Sequence, residues 1–405
     1  MLMALIPLFD ENMAVKAYSV FTQKDNFFTN PMKLGTGAND GAVRVEGLEL
    51  IETMGIETLS DDKKIFVPLT NLSVFSDVEE QCSASHDRIV FLIDNTIPPL
   101  EMYVKRLKEL KEKGYKLAMR KLAVSEFESR REILQLTDYM FLNCKKIAIE
   151  KAKIYFNKLF PNMILCAGNI DTMDSFELLK HSGGYQLYEG DFYRVPVTRG
   201  TNKIESLKGN YFQLLNIVNQ DDFELEDAAD VIGRDAALTI SLLKIVNRMT
   251  INSNITSIRH AAAILGQKEL KQWINTVVVN EIYADKPGEL TRLSLLRAKF
   301  AEELASVFGL KAHSEELFLM GLFSLLDVIL EKNMEEALQM VIVPPNVKEA
   351  ILNHSGKLAP VYDFMTQYEV AHWEEVSRQL VLAGIEVDAV NDAYVKALDW
   401  YKKML

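Results

Sequence analysis

The chain has 405 residues, 48% of them apolar and 25% charged, with a net charge of −12. That length favours two domains, each able to bury its own core, and the composition is that of a globular protein. No apolar run is long enough to cross a bilayer, Met1 to Ile6 lacks the basic start of a signal peptide, and Cys82, Cys144 and Cys166 form no C-x-x-C pair, so membrane insertion, a disulfide framework and a zinc site are disfavoured and a cytoplasmic location is expected.

In chain order, short apolar runs come first. Leu2 to Leu8, Val15 to Phe21, Ile65 to Pro68, Ile89 to Ile93, Tyr115 to Met119, Tyr139 to Leu142, Met163 to Ala167 and Tyr185 to Leu187 are predicted strands. The first two are separated by Asp10-Glu-Asn12, a turn composition that predicts an antiparallel hairpin. Amphipathic segments such as Leu100 to Glu112 and Ile147 to Leu159 lie between later runs, the alternation that builds a barrel of parallel strands. The stretch from Asn26 to Gly41 is glycine-rich and polar. Its Gly35-Thr-Gly-Ala-Asn-Asp-Gly41 has neither a lysine after its last glycine nor G-x-G-x-x-G spacing, so it reads as a loop and not as a phosphate cradle. Pro196 and Gly200 mark a linker, which divides the chain into residues 1–200 and 205–405.

Everything after the linker has helical spacing. The segments are Leu207 to Asn219, Leu225 to Ile232, Ala236 to Arg248, Ser257 to Leu265, Leu270 to Ile282, Leu293 to Phe308, Glu315 to Leu330, Val347 to Leu352, Tyr362 to Gln367, Trp373 to Ala383 and Val387 to Tyr401. Ser257 and Asn333 stand where N-caps are expected. No fixed repeat period is present, which disfavours a solenoid. Residues 201–405 hold 20 Lys and Arg against 29 Asp and Glu. An excess of nine negative charges and no basic stripe argue against nucleic acid as a partner.

Two sets of residues carry a family resemblance. The second half, through Leu242-Leu-Lys-Ile-Val-Asn-Arg248, Ile258-Arg-His-Ala-Ala-Ala-Ile-Leu-Gly266, Leu270-Lys-Gln-Trp273 and Phe318-Leu-Met-Gly-Leu-Phe-Ser-Leu-Leu-Asp327, resembles an HDOD domain. The first half, through Pro7-Leu-Phe-Asp10, Lys113-Gly-Tyr-Lys-Leu-Ala118 and Tyr188-Glu-Gly-Asp-Phe192, resembles the EAL barrel of cyclic di-GMP phosphodiesterases. The resemblance implies an EAL-type β/α barrel followed by an all-helical, HD-related domain, the order of bacterial EAL–HDOD signalling proteins.

It also implies a degenerate metal site. By the family pattern Ser19 stands in place of the signature glutamate, Pro68 of an asparagine ligand, Leu92 of a second glutamate, and Arg120 and Lys121 of an aspartate pair. Phe141 takes the place of a lysine that serves the water, Asn143 that of an acidic neighbour and Gly168 that of a late glutamate. In the helical half Leu326 and Asp327 stand where an active HD domain has His-Asp, and the six histidines show no ligand spacing. Two-metal hydrolysis needs hard oxygen ligands that these positions do not supply. The expectation is therefore no metal, no cofactor and no enzyme, with the chain acting as a signalling or scaffolding protein on a protein partner that has a basic surface, and with homo-oligomerisation open.

A second reading makes the barrel a sensor that binds cyclic di-GMP or another anion at Arg120 and Lys121. A serine hydrolase, the third, lacks a G-x-S-x-G elbow. Asp327 reads as a polar-network residue, His260 as a solvated or core histidine, and Trp273, a turn from Leu270 and Val277, as core or as the lining of a partner groove.

Overall fold

The computed structural model describes residues 1–23, 44–196, 206–220, 222–249, 255–282, 284 and 286–404. The glycine-rich loop and most of the linker lie outside them. Packing divides the chain into two compact units, Met1–Val195 with Glu303–Lys311 and Asp363–Leu405, and Pro196–Glu302 with Ala312–Tyr362.

In the first unit eight strands close a barrel in sequence order. They are β1 (Leu2–Phe9), β2 (Val15–Gln23), β3 (Lys64–Pro68), β4 (Ile89–Ile93), β5 (Lys116–Met119), β6 (Tyr139–Asn143), β7 (Ile164–Ile170) and β8 (Leu187–Gly190). The expected hairpin is present: β1 runs antiparallel to β2 and to β8, while the remaining neighbours are parallel. Its turn is set by Asp10, whose Oδ1 accepts from the amides of Asn12 at 2.8 Å and Ala14 at 2.9 Å. Alternate side chains point inward, so Leu8, Ala17, Phe66, Val90, Leu92, Ala118, Tyr139, Phe141, Cys166 and Leu187 form one apolar cluster that fills the barrel.

Six helices follow the strands: α1 (Glu46–Met54), α2 (Ile56–Ser60), α3 (Glu101–Glu112), α4 (Arg131–Leu136), α5 (Ile149–Leu159) and α6 (Met173–Ser182). On α3 the buried face is Val104, Leu107 and Leu110, three residues apart. The cap of α6 is Thr172, whose side chain accepts from the Ser175 amide at 3.2 Å.

The helical part comprises α7 (Ser206–Val218), α8 (Leu225–Ile232), α9 (Ala236–Met249), α10 (Ile258–Ile282), α11 (Gly288–Val307), α12 (Ser314–Phe323), α13 (Leu326–Leu330), α14 (Met334–Leu338), α15 (Pro345–Asn353), α16 (Ala359–Glu369), α17 (Trp373–Ala383) and α18 (Val387–Met404). Within α10 the backbone breaks at Gly266, at φ 77°, which separates the two helices expected there. The single helix expected over Glu315 to Leu330 is two, because the Ser324 hydroxyl donates to the Gly321 carbonyl at 2.7 Å and ends α12. Asn333 caps α14 as expected, accepting from the Glu336 amide at 2.8 Å. At Gly321 an added Cβ would lie 2.3 Å from the Arg297 carbonyl oxygen, so only glycine allows α12 this close to α11.

Packing does not follow the division at residues 200 and 205. The last helices belong to the barrel unit, for a physical reason visible in their contacts. Residues of α18 pack against β1, and Tyr368 is fully buried, its hydroxyl oxygen accepting from the Met3 amide at 3.3 Å. Gln23 donates from Nε2 to the Ser377 hydroxyl at 2.7 Å, and Arg194 pairs with Glu369 at 2.7 Å with both side chains largely buried.

Candidate functional site

At the exits of β5 to β8 the chain builds a cavity of about 560 Å³. Strand ends at this face of a barrel carry the ligand site because their loops splay outward from a rigid core. Arg120 follows β5 and is held between two rings, its guanidinium carbon 5.0 Å from the centre of Phe21 and 5.5 Å from that of Phe141. Its Nη2 donates to Glu189 Oε1 at 3.2 Å, joining the end of β5 to β8. Lys121, in the left-handed region at φ 57°, turns outward and reaches Asp94 at 3.5 Å. Its side chain is 65% exposed, so this pair is weak and leaves the ammonium available. Burial raises the Asp94 carboxyl pKa, yet the Thr96 hydroxyl and amide and Lys121 outweigh it and hold the group below its usual range.

The remaining wall is positioned by backbone contacts. Asn143, at the end of β6, accepts on Oδ1 from the Lys145 amide at 2.9 Å, a turn that carries Lys146 to the cavity. Arg130, 8% exposed, donates from Nη2 to the Asn95 carbonyl at 2.8 Å and fixes that loop beside it. Gly168, on β7, lies beside Glu189, a Cβ added there standing at ordinary van der Waals distance from its Oε1. Two buried atoms here have no hydrogen-bond partner: Arg120 Nη1 and Glu189 Oε2.

The structure brings together five of the residues singled out from sequence. Arg120, Lys121, Phe141, Asn143 and Gly168 line the cavity. Leu92 and Phe141 belong to the apolar filling of the barrel, and Ser19 is wholly buried with its hydroxyl unpaired. Pro68 ends β3. Glu189 is the residue that sequence reasoning missed; it lay inside a quoted motif, and its place at the end of a barrel strand was the available signal. A two-metal site does not fit these residues. The two carboxylates lining the cavity are already engaged by guanidinium groups, Glu189 by Arg120 and Glu126 by Arg130, and among the described residues no group of three or more His, Cys, Asp or Glu is arranged to hold a metal ion.

In the helical part Leu326 is buried and opens α13, and Asp327, the next residue, accepts on Oδ1 from the Val328 amide at 2.8 Å. Burial pushes the Asp327 carboxyl upward. His260 is exposed, and His313 lies 3.2 Å from Glu316. Trp273, read as core or as the lining of a partner groove, is 6% exposed and lies on the buried face of α10.

Comparison with known families assigns the second half. Its residues 204–347 match the HDOD domain model. This is an HDOD domain. Ahead of the HDOD domain stands a closed barrel with the strand order expected of an EAL-type fold. Over 319 residues the chain is 27% identical to cyclic di-GMP phosphodiesterase CdgJ of Vibrio cholerae, covering 78% of this chain and 73% of that protein. It is 25% identical over 413 residues to the uncharacterized protein YuxH of Bacillus subtilis, covering 98% and 97%. Among solved structures, the EAL enzyme Bd1971 in its cAMP-bound form matches 46% of this chain at 11% identity with a TM-score of 0.35, and the match spans 61% of that protein. The relatives correct one expectation. Degenerate ligand positions led to the inference that the chain is no enzyme, whereas a relative matching most of its length is named a phosphodiesterase.

Proposed function

We propose that this chain is a cyclic di-GMP signalling protein in which the barrel mouth engages the dinucleotide and the HDOD domain passes the signal to a protein partner. The observation that carries the reading is the cavity at the strand ends, edged by Arg120, Lys121 and Lys146. The exposed cations Lys121 and Lys146 suit a ligand with two phosphodiesters, and the planar guanidinium of Arg120, paired with Glu189, adds directional donors beside them. The name of the Vibrio cholerae relative points to the same nucleotide. Residues 201–405 carry 20 basic against 29 acidic side chains, which favours a partner with a basic surface and association that slows as salt rises.

The test is equilibrium dialysis of the full chain against labelled cyclic di-GMP, beside the double variant Lys121→Glu/Lys146→Glu. Saturable retention by the wild type, weakened at least about tenfold in the variant, is expected. A wild type that neither retains nor turns over the nucleotide would refute the reading.

A further inference from the structure

The connections that follow β3 and β4 leave a set of large apolar side chains in solvent. Leu72 is 57% exposed, Phe75 41%, Leu100 55% and Met102 58%. Leu72 and Phe75 stand three residues apart across a single 3₁₀ turn, Ser73–Phe75, so they share one face. The Phe75 ring lies 4.9 Å, centre to centre, from that of Tyr103 in the first turn of α3. Leu100 is the residue before that helix, and its carbonyl accepts from the Tyr103 amide at 2.9 Å. Arg106 locks the two segments together, Nε donating to the Val74 carbonyl at 2.9 Å and Nη2 to that of Ser76 at 2.8 Å. Single exposed leucines are ordinary; a contiguous apolar set held in place by its own polar contacts marks an interaction surface.

Beside this set the charges of α3 complement themselves. Glu101 and Lys105, both exposed and one turn apart, border Met102, and among the described residues no ion pair engages either. A two-fold axis beside Met102 lays α3 of one copy antiparallel on α3 of a second, and Glu101 of each copy then faces Lys105 of the other. Sliding the pairing until Lys105 opposes Lys108 also brings Glu101 against Glu112, like charge on like charge, so the first register is selected. A partner surface of one sign would match only one of the two residues. We propose that this face is the contact of a homodimer, with Leu72, Phe75, Leu100 and Met102 buried at its centre and two Glu101–Lys105 pairs between copies fixing the register. Exposed ion pairs contribute little free energy, so the apolar side chains supply the affinity and the charges the alignment. All of these residues belong to the barrel unit, and none lines the cavity at the strand exits.

Analytical ultracentrifugation of the full chain over about a hundredfold range of concentration tests this, with thermal unfolding as the check that each variant folds. The wild type is expected to be dimeric at the upper end of the range. Met102→Glu, at a solvent-facing position, is expected to weaken dimerisation at least about tenfold. Glu101→Lys and Lys105→Glu each set like charges against one another at both ends of the contact, and each is expected to weaken it about tenfold. The double variant Glu101→Lys/Lys105→Glu exchanges the charges and is expected to restore the wild-type dissociation constant to within about threefold. A wild type that stays monomeric throughout overturns the proposal, and so does a dimer that a folded Met102→Glu leaves intact. Single reversals without effect, or weakening that the double variant does not rescue, overturn the two-fold register.

Discussion

Replacing Glu369 with methionine breaks an ion pair that joins the last residue of α16 to the segment after β8. Arg194 Nη1 and Glu369 Oε1 are 2.7 Å apart, with side chains 11% and 13% exposed. Burial by itself lowers the guanidinium pKa, but Glu369, Tyr193 and Asp191 outweigh it and hold it above the usual range. Removing one partner of a buried pair costs about 3–5 kcal/mol, because the other charge is left desolvated. Here Asp191 also pairs with Arg194, so we place the cost near the lower bound, about 2–3 kcal/mol. For a unit the size of this barrel with its added helices, about 2–4 °C is lost per kcal/mol, which makes the expected fall about 4–12 °C. Differential scanning calorimetry of the full chain with Glu369→Met, Arg194→Met and the double variant gives the coupling directly. A coupling below about 1 kcal/mol would refute the reasoning, since exposed pairs give about that much or less. It would mean that the helices after residue 363 are not locked to the barrel unit.

Gly321→Ala is expected to destabilise the chain by at least about 1–3 kcal/mol in denaturant melts, since the new methyl meets a backbone oxygen that cannot rotate away; wild-type stability would contradict the close crossing of α11 and α12. Asp327→Asn is expected to raise the melting temperature at neutral pH. Burial favours its protonated form in the fold, so ionisation costs stability as pH rises above the unfolded value of about 3.9 and the gain from asparagine vanishes below it; a variant less stable than wild type at pH 7 would overturn this. Burial raises all three thiols, Cys144 to about 11 and Cys166 well above the usual range, so a disulfide reagent at pH 8 is expected to label none in the native chain and all in denaturant, and rapid native labelling would contradict it.

The strands were legible because each is a short apolar run that the barrel buries on both faces. Ile89–Ile93 is buried at every position. The last strand was placed too early for the converse reason. Gln186 lies before the true strand and accepts on Oε1 from the Leu165 amide at 2.9 Å, while Leu187–Gly190 contains a charged residue that the apolar pattern passes over. That same charge is Glu189. Its pairing with Arg120 spans 69 positions and has no local signature, so the arginine was visible at the mouth and the ion pair was not. The return of residues 363–405 to the barrel was hidden likewise: helical spacing predicts an apolar face on α18 but not that β1 is what covers it.

The measurement that tests the central claim most directly is amide hydrogen exchange of the full chain, followed by mass spectrometry, with and without saturating cyclic di-GMP. Slowed exchange at the strand exits, in peptides covering residues 120–126, 143–147 and 168–170, is the predicted result, because these segments line the cavity. Protection absent from all three, or confined to peptides of the HDOD domain, would contradict it.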